Sequence, residues 1–183
     1  LDTITSLTLG IGIFTQLETK GGCASTLAAL WAHSVAVGSL AKTIADRQHL
    51  EAAKDAFTAG LLHDIGKLVL AVNMPDQYKS VSEMVAKDAV MWTDAEEKVF
   101  GVQHAQVGSY LLGLWGLPQG VVEAVAFHHA PSCVRTDAFN LISAVHIAES
   151  MIDPNGTECS LDEEYVARLG LTDAIPKWRD AAD

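Results

Sequence analysis

Apolar residues recur every three or four positions along almost the whole chain, and this period constrains the fold more than any other feature. Phe57, Leu61, Ile65, Leu68 and Val72 show it most clearly, since they follow one another at spacings of 4, 4, 3 and 4. No segment alternates apolar and polar residues with the period of about 2 that a half-buried strand shows. The sequence therefore predicts an all-α fold.

Helix boundaries follow from the same period and from capping residues. The predicted helices run from Leu1 to Leu17, Ser25 to about Asp46, Ala52 to about Val72, Pro75 to Val85, Asp94 to Phe100, His104 to Leu114, Pro118 to His128 and Ala138 to Ile152, with a shorter helical tail from Leu161. Pro75 and Pro118 suit first helical positions. Thr93, followed three residues later by Glu96, predicts a capping box. Neither a repeat nor a linker divides residues 1–183, so we expect a single domain.

Charge and cysteine content exclude several classes of protein. The chain has 12 Lys and Arg against 23 Asp and Glu, a net charge of −11, and its basic residues form no cluster. Direct nucleic-acid binding is therefore not expected. Its 3 cysteines form no CxxC pair, which favours a reducing compartment and a cytoplasmic location. We expect no membrane span and, because the first residue is Leu, a chain truncated at its N-terminus.

The segment "FTAGLLHDIGKLVL" places a base, an acid and a cation on an otherwise apolar helix. On the predicted helix, Gly60, His63, Asp64 and Lys67 lie three and four residues apart and form one stripe. A solvated polar face does not explain the apolar residues around them, because idle charges are costly in such surroundings. The pattern indicates a site.

Other predicted helices bring metal-ligating side chains to similarly apolar surfaces. They are His33 in "LWAHSVAVG", His104 in "GVQHAQVG", His128 and His129 after "GVVEAVAF", and His146 with Glu149 in "LISAVHIAESM". Any one of these histidines is more often an ordinary core or surface residue than a ligand. A shared metal centre explains them together, and it favours transition metals over Mg because imidazole predominates.

The ordered series H…HD…H…HH resembles the HD superfamily of metal-dependent phosphohydrolases. "HDIGK" is similar to its HD-GYP cyclic-dinucleotide phosphodiesterase branch. The opening "LDTITSLTLGIGIF" and the stretch "FGVQHAQVGSYLLGLWGLPQGVVEAVAFHHAP" are closer to the HDOD signalling output domains. The resemblance covers Leu1 to about Asp153 and implies an HD-domain-like helical bundle. No GYP motif follows His129 in "APSCVRTDAF", so the activity of the HD-GYP branch is not implied.

The resemblance also implies roles for individual residues. The implied metal ligands are His33, His63, Asp64, His104, His128, His129 and, where the family usually has Asp, Glu149. Asp64 would bridge two ions. His146 would support or replace Glu149. Lys67 would contact phosphate or orient the nucleophile, and Arg135 is a weaker second phosphate contact.

The implied cofactor is one or two divalent transition-metal ions, with Fe or Mn favoured and Zn, Ni, Co or Mg still open. The implied function is hydrolysis of a phosphomonoester or phosphodiester, in a phosphorylated small molecule or nucleotide, by a domain of bacterial signal transduction. Two alternatives remain open. One is a non-catalytic regulatory domain with protein partners and a structural or vestigial metal site, and the other is an HD-fold di-iron oxygenase.

Overall fold

The structure, a computed structural model, describes residues 5, 8, 10–12, 24–153, 157 and 159–179. Within them the regular structure is helical and contains no strand, which confirms the predicted all-α fold. Thr5, Thr8 and residues 10–12 are helical. The rest of the helix predicted from Leu1 to Leu17 lies outside the described residues.

The described helices follow one another with short connections. They are α1 (Ala24–Arg47), α2 (Ala53–Leu62), α3 (Ile65–Asn73), α4 (Pro75–Asp88), α5 (Trp92–Phe100), α6 (His104–Leu114), α7 (Gln119–Phe127), a 3-10 turn (Pro131–Cys133), α8 (Leu141–Ile152), α9 (Glu163–Arg168) and α10 (Ile175–Arg179). The long helix α1 packs against α2 and α8, while α6 packs against α3 and α7. The hydrophobic core runs from Val37 in α1 to Trp178 in α10, so the C-terminal helices share one core with the rest.

Two glycines allow α1 and α2 to cross closely. A Cβ atom on Gly60 would lie 2.7 Å from the Cα of Gly38, which is a steric clash. By length and hydropathy one segment of α1, Leu27–Arg47, would also pass as a membrane span, contrary to the expectation that no segment does. This segment packs against α2 and α8, and 39% of its apolar window is buried.

The helix predicted from Ala52 to Val72 is two helices, because the chain breaks between Leu62 and Ile65. Asp64 leaves the helical region, with φ −96° and ψ 12°. The new direction brings the backbone of Gly66 against the carbonyl of His104, so closely that a Cβ atom there would overlap the carbonyl oxygen. The apolar period continues through the break, which is why periodicity alone predicted one helix.

The capping box predicted at Thr93 and Glu96 is wrong. Helix α5 begins at Trp92 without a side-chain cap, and Glu96 is fully buried with its carboxylate bonded elsewhere. Reciprocal capping contacts occur instead at α6, between Gln103 and Gln106, and at α8. Two other starts are shifted, since Pro118 is the residue before α7 and α8 begins at Leu141.

Candidate metal centre

The described helices and their ends bring seven predicted ligand side chains together, which we call the histidine–carboxylate cluster. Its members are His33 in α1, His63 and Asp64 between α2 and α3, His104 at the start of α6, His128 and His129 after α7, and Glu149 in α8. The side chains of His33 and His129 are 22% and 11% exposed, whereas the other members are buried. The cluster is therefore reached from the surface at His33 and His129.

Two overlapping sets of donor atoms lie within the cluster. One set is Asp64, His104, His128 and His129, and the other is His63, Asp64, His128 and Glu149. In each set the donor atoms lie within 4.8 Å of one another. Asp64 and His128 belong to both. The Nε2 atom of His33 lies 3.8 Å from Asp64 Oδ2, at the edge of the second set.

Glu149 reaches the cluster although it is longer than the Asp that the resemblance implies. Its carboxylate oxygens lie 3.8 Å from the Nε2 atoms of His63 and of His128, and 3.9 Å from that of His129. The carboxylate is fully buried. Its position is therefore compatible with the predicted ligand role.

His63 and His128 are oriented by their own helices. The Nδ1 atom of His63 lies 2.7 Å from the carbonyl oxygen of Gly60, and that of His128 lies 2.7 Å from the carbonyl oxygen of Val125. A carbonyl oxygen only accepts, so each Nδ1 carries the hydrogen and donates it. In the neutral rings the Nε2 lone pairs then face the cluster, as metal ligation requires.

His104 is oriented by a side chain from α5. Its Nδ1 donates to Glu96 Oε2 at 2.7 Å. Its Nε2 lies 3.2 Å from Asp64 Oδ1, 2.9 Å from the Nε2 of His129 and 3.4 Å from that of His128.

These contacts fit a bound cation. The lone pairs of two imidazole nitrogens this close repel each other unless a proton or a metal ion lies between them. The buried Nε2 atoms of His33 and His63 also have no hydrogen-bond partner among the described residues. The donor set, imidazoles with two carboxylates, is one that Fe, Mn and Zn accept. The described residues thus form a cluster that could hold metal.

Burial keeps most of these imidazoles neutral. It lowers the pKa of His63 to about 4 and holds the pKa of His128 and of His129 well below the usual value. Burial also raises the pKa of Asp64, but His63 and Lys67 beside it outweigh burial and hold that pKa well below its usual range. Asp64 is therefore ionised and ready to ligate.

His104 differs from the other cluster histidines. Burial and the nearby Lys67 ammonium lower its pKa, but the hydrogen bonds to Asp64 and Glu96 outweigh them and raise it to about 9. Without metal, a proton on Nε2 therefore takes the place of a cation beside Asp64 at neutral pH.

Of the two predicted phosphate contacts, only Lys67 lies at the cluster. Its Nζ atom is 3.0 Å from Asp64 Oδ2 and 5.2 Å from the ring centroid of Trp92, and the side chain is buried. Lys67 is thus not the surface lysine that a simple helix would make it. Arg135 is exposed in the loop after the 3-10 turn, and in the described structure no hydrogen bond or ion pair joins it to the cluster.

His146 is not placed as an alternative ligand. Its Nδ1 donates to the carbonyl oxygen of His128 at 2.7 Å, and its Nε2 accepts from the backbone N–H of Asp162 at 2.9 Å. Both ring nitrogens are therefore occupied by the backbone. The ring supports the segment that carries His128 and His129.

Cys159 and Glu96 are the neighbours of the cluster that the sequence analysis missed. The buried thiol of Cys159 lies beside Glu149, and its sulfur lies within 4.8 Å of the donor atoms of His129 and Glu149. Burial, together with Glu149, raises the pKa of this thiol. Glu96 had one sequence signal, because Trp92, Glu96 and Phe100 follow at intervals of four, which puts an acid on the inner face of α5.

The described helices bring buried histidines and carboxylates together. The chain is therefore a helical domain with a candidate metal centre. The family model of the HDOD domain matches residues 1–131, and the chain belongs to this signalling-associated family. The resemblance to HDOD domains is thereby confirmed.

Several proteins are similar to this chain in structure or in sequence. A crystal structure of an HDOD domain protein of unknown function from Geobacter sulfurreducens superposes with a TM-score of 0.77 at 23% identity, covering 100% of this chain and 70% of that one. The MmoQ response regulator from Methylococcus capsulatus gives a TM-score of 0.59 at 25% identity, covering 83% of this chain and 60% of that one. A ribonuclease Y of Thermus thermophilus is 34% identical over 143 residues, 78% of this chain. The chain spans only 20% to 24% of the length of the curated relatives that it matches.

Proposed function

We propose that this HDOD domain binds one or two divalent transition-metal ions, Fe or Mn by preference, and hydrolyses phosphate esters. The observation that supports this most directly is the pair of donor sets that share Asp64 and His128. Two ions held in such overlapping sets would polarise a water molecule and neutralise the charge of a phosphate ester. A single ion would occupy either set.

The residues of the chain have distinct parts in this proposal. Asp64 lies between the two sets, and the Lys67 ammonium at 3.0 Å holds one of its oxygens in place. His33 and His129 form the exposed side of the cluster, where a phosphate group would enter. Because Lys67 is buried against Asp64, we assign it the role of orienting that carboxylate. Lys67 would contact a phosphate group directly only where the ester reaches as far as Asp64 Oδ2.

A small phosphodiester is the substrate class that we favour. The relatives named ribonuclease Y are, by name, enzymes that act on RNA. The net charge of −11 opposes binding of a long polyanion, so a nucleotide or other phosphorylated small molecule in the cytoplasm suits this domain better. The similarity of "HDIGK" to the HD-GYP phosphodiesterase branch also supports a phosphodiester substrate.

The alternative is a regulatory domain in which the metal is structural and the output is a protein contact. One observation favours it. Tyr110, Leu114 and Trp115 are exposed apolar side chains on or just after α6, the helix that begins at His104. The similarity to a response regulator points the same way.

Metal content and hydrolysis test the proposal together. The purified chain is analysed for metal by mass spectrometry and assayed with bis(p-nitrophenyl) phosphate, p-nitrophenyl phosphate and a short RNA, each with added Mn²⁺ or Fe²⁺. We expect bound metal and diester hydrolysis, both lost in Asp64→Ala and retained in Asp88→Ala, an exposed control.

Metal without hydrolysis in any assay would support the regulatory alternative. A metal-free chain, or equal hydrolysis by wild type and Asp64→Ala, would refute the proposal. Oxygen consumption by the iron-loaded chain would indicate the oxygenase chemistry.

A further inference from the structure

His104 lies at the start of its helix, whereas His63 and His128 each follow the end of theirs. Those two follow the last residues of α2 and α7, where a carbonyl three residues earlier is free to accept from the ring. His104 is the first residue of α6 and has no preceding helical turn. Its ring therefore has no carbonyl of its own helix to bond, and its backbone N–H is among those left unpaired at a helix start.

Glu96 meets both needs with one oxygen. Its Oε2 accepts from the backbone N–H of His104 at 2.8 Å and from the ring Nδ1–H at 2.7 Å. The carboxylate is fully buried, and a negative charge beside the start of α6 is favoured by the helix dipole. One side chain thus fixes both the helix start and the ring.

The other oxygen of Glu96 is held by Trp92, whose indole Nε1–H donates to Oε1 at 3.0 Å. The Trp92 ring lies 5.2 Å from the Lys67 ammonium, which in turn bonds Asp64 Oδ2 at 3.0 Å. Asp64 Oδ1 lies 3.2 Å from the Nε2 of His104. The five side chains therefore form a closed ring of contacts, in which α5 takes part without offering a donor atom to the cluster.

We propose that Glu96 is a positioning residue for the metal centre: it fixes His104 as the Nδ1–H tautomer with Nε2 facing the cluster, and Trp92 fixes Glu96. This inference rests on the proposed metal binding. Carboxylates that bond a ligating histidine typically contribute about 10-fold to 100-fold in metal affinity. In Glu96→Gln the negative charge is lost and one oxygen becomes an NH₂ group, so the remaining oxygen can accept from His104 or from Trp92 but not from both.

A Zn²⁺ titration of the 183-residue chain tests the inference, with Zn²⁺ chosen because it is diamagnetic. We expect Glu96→Gln to weaken Zn²⁺ binding by about 10-fold to 100-fold. Trp92→Phe keeps a ring for Lys67 but removes the indole donor, and we expect a weakening of about 2-fold to 5-fold from the lost hydrogen bond. Glu97→Gln, an exposed change on the same helix, should bind as wild type does.

The tautomer of His104 gives a readout that a merely structural role would not change. Long-range ¹H–¹⁵N spectra of the Zn²⁺-loaded wild type should show the hydrogen of His104 on Nδ1, and those of Glu96→Gln should show a loss or shift of that hydrogen-bonded signal. Equal affinity of wild type and Glu96→Gln, or a hydrogen on Nε2 in the loaded wild type, would overturn the positioning role.

Two further outcomes remain decisive. If Glu96→Gln does not fold, the wild-type spectrum and Trp92→Phe still decide the matter. If the wild type binds no Zn²⁺, Mn²⁺ or Fe²⁺, the proposed function fails by itself, while the His104 tautomer in the metal-free chain at alkaline pH still tests whether Glu96 fixes the ring.

Discussion

The two kinds of helix end in this cluster position histidines in different ways. At the ends of α2 and α7, a vicinal pair, His63-Asp64 or His128-His129, follows the last helical turn, and the first ring of each pair bonds a carbonyl of that turn. At the start of α6, His104 depends on Glu96, which comes from another helix. The first arrangement is local in sequence. The second exists only in the folded chain, so it should be the more easily disturbed.

The same difference sets the charge of the rings. At His63 burial outweighs the nearby Asp64 carboxylate and the bond to a neutral carbonyl, and the pKa falls to about 4. At His104 burial acts in the same direction but is outweighed by two carboxylates, and the pKa rises to about 9. The helix starts and helix ends should therefore respond differently to mutation and to pH.

The largest effect should come from Gly66→Ala, which disturbs the contact between α3 and the start of α6. The new Cβ would overlap the carbonyl oxygen of His104, so α3 and α6 must separate, at a cost of about 1–3 kcal/mol in unfolding free energy, with loss of metal binding. Urea unfolding and metal analysis measure both. The matched control is Gly113→Ala in α6, where a Cβ meets no atom within 4 Å and helix propensity predicts up to about 1 kcal/mol of added stability. Normal metal binding by Gly66→Ala would show that the close approach is dispensable.

An intermediate effect is expected from pH, because a metal must displace the proton from His104. Below the pKa of about 9 each pH unit should tighten metal binding by about tenfold, and above it the affinity should level off. The metal-free fold shows the opposite trend, because it is the protonated His104 ring that stabilises it. This stabilisation is complete at pH values below the ordinary pKa of 6.5 and is lost as the pH rises through about 9. Metal affinity and unfolding measured from about pH 6.5 to about pH 9.5 test both signs. A pH-independent affinity across that range would contradict the assignment of a proton to His104.

The smallest effect should come from Cys159→Ala on the α8 side of the cluster. Its thiol contacts Glu149, but the rings there are held by backbone carbonyls, so we expect metal affinity to change by less than about threefold, in line with one weak hydrogen bond. The exposed Cys133 provides the control, Cys133→Ala. A tenfold loss confined to Cys159→Ala would instead indicate that the thiol itself ligates metal.

Sequence reasoning succeeded where the determinants are local. Helix α6 runs from His104 to Leu114 as predicted, and α1 and α4 begin within a residue of their predicted starts. All seven side chains that the resemblance implied as ligands lie in one cluster.

It failed where a residue's role depends on a distant neighbour. Glu96 has the spacing of a capping residue, and only the fold shows that its partner is eight residues away at His104. The break at Asp64 is hidden by an unbroken apolar period, and only the fold shows that it lets Gly66 lie against the start of α6. The ring of His146 is occupied by Asp162, whose approach no local pattern could indicate.

The seven cluster residues are spread from position 33 to position 149 of the chain. A cation coordinated by them would act as a cross-link that closes several long loops at once and would reduce the entropy of the unfolded chain, as a disulfide does. The free energy of unfolding would then depend on the concentration of free metal. Under the proposed metal binding, the supply of iron or manganese would change the stability of this domain.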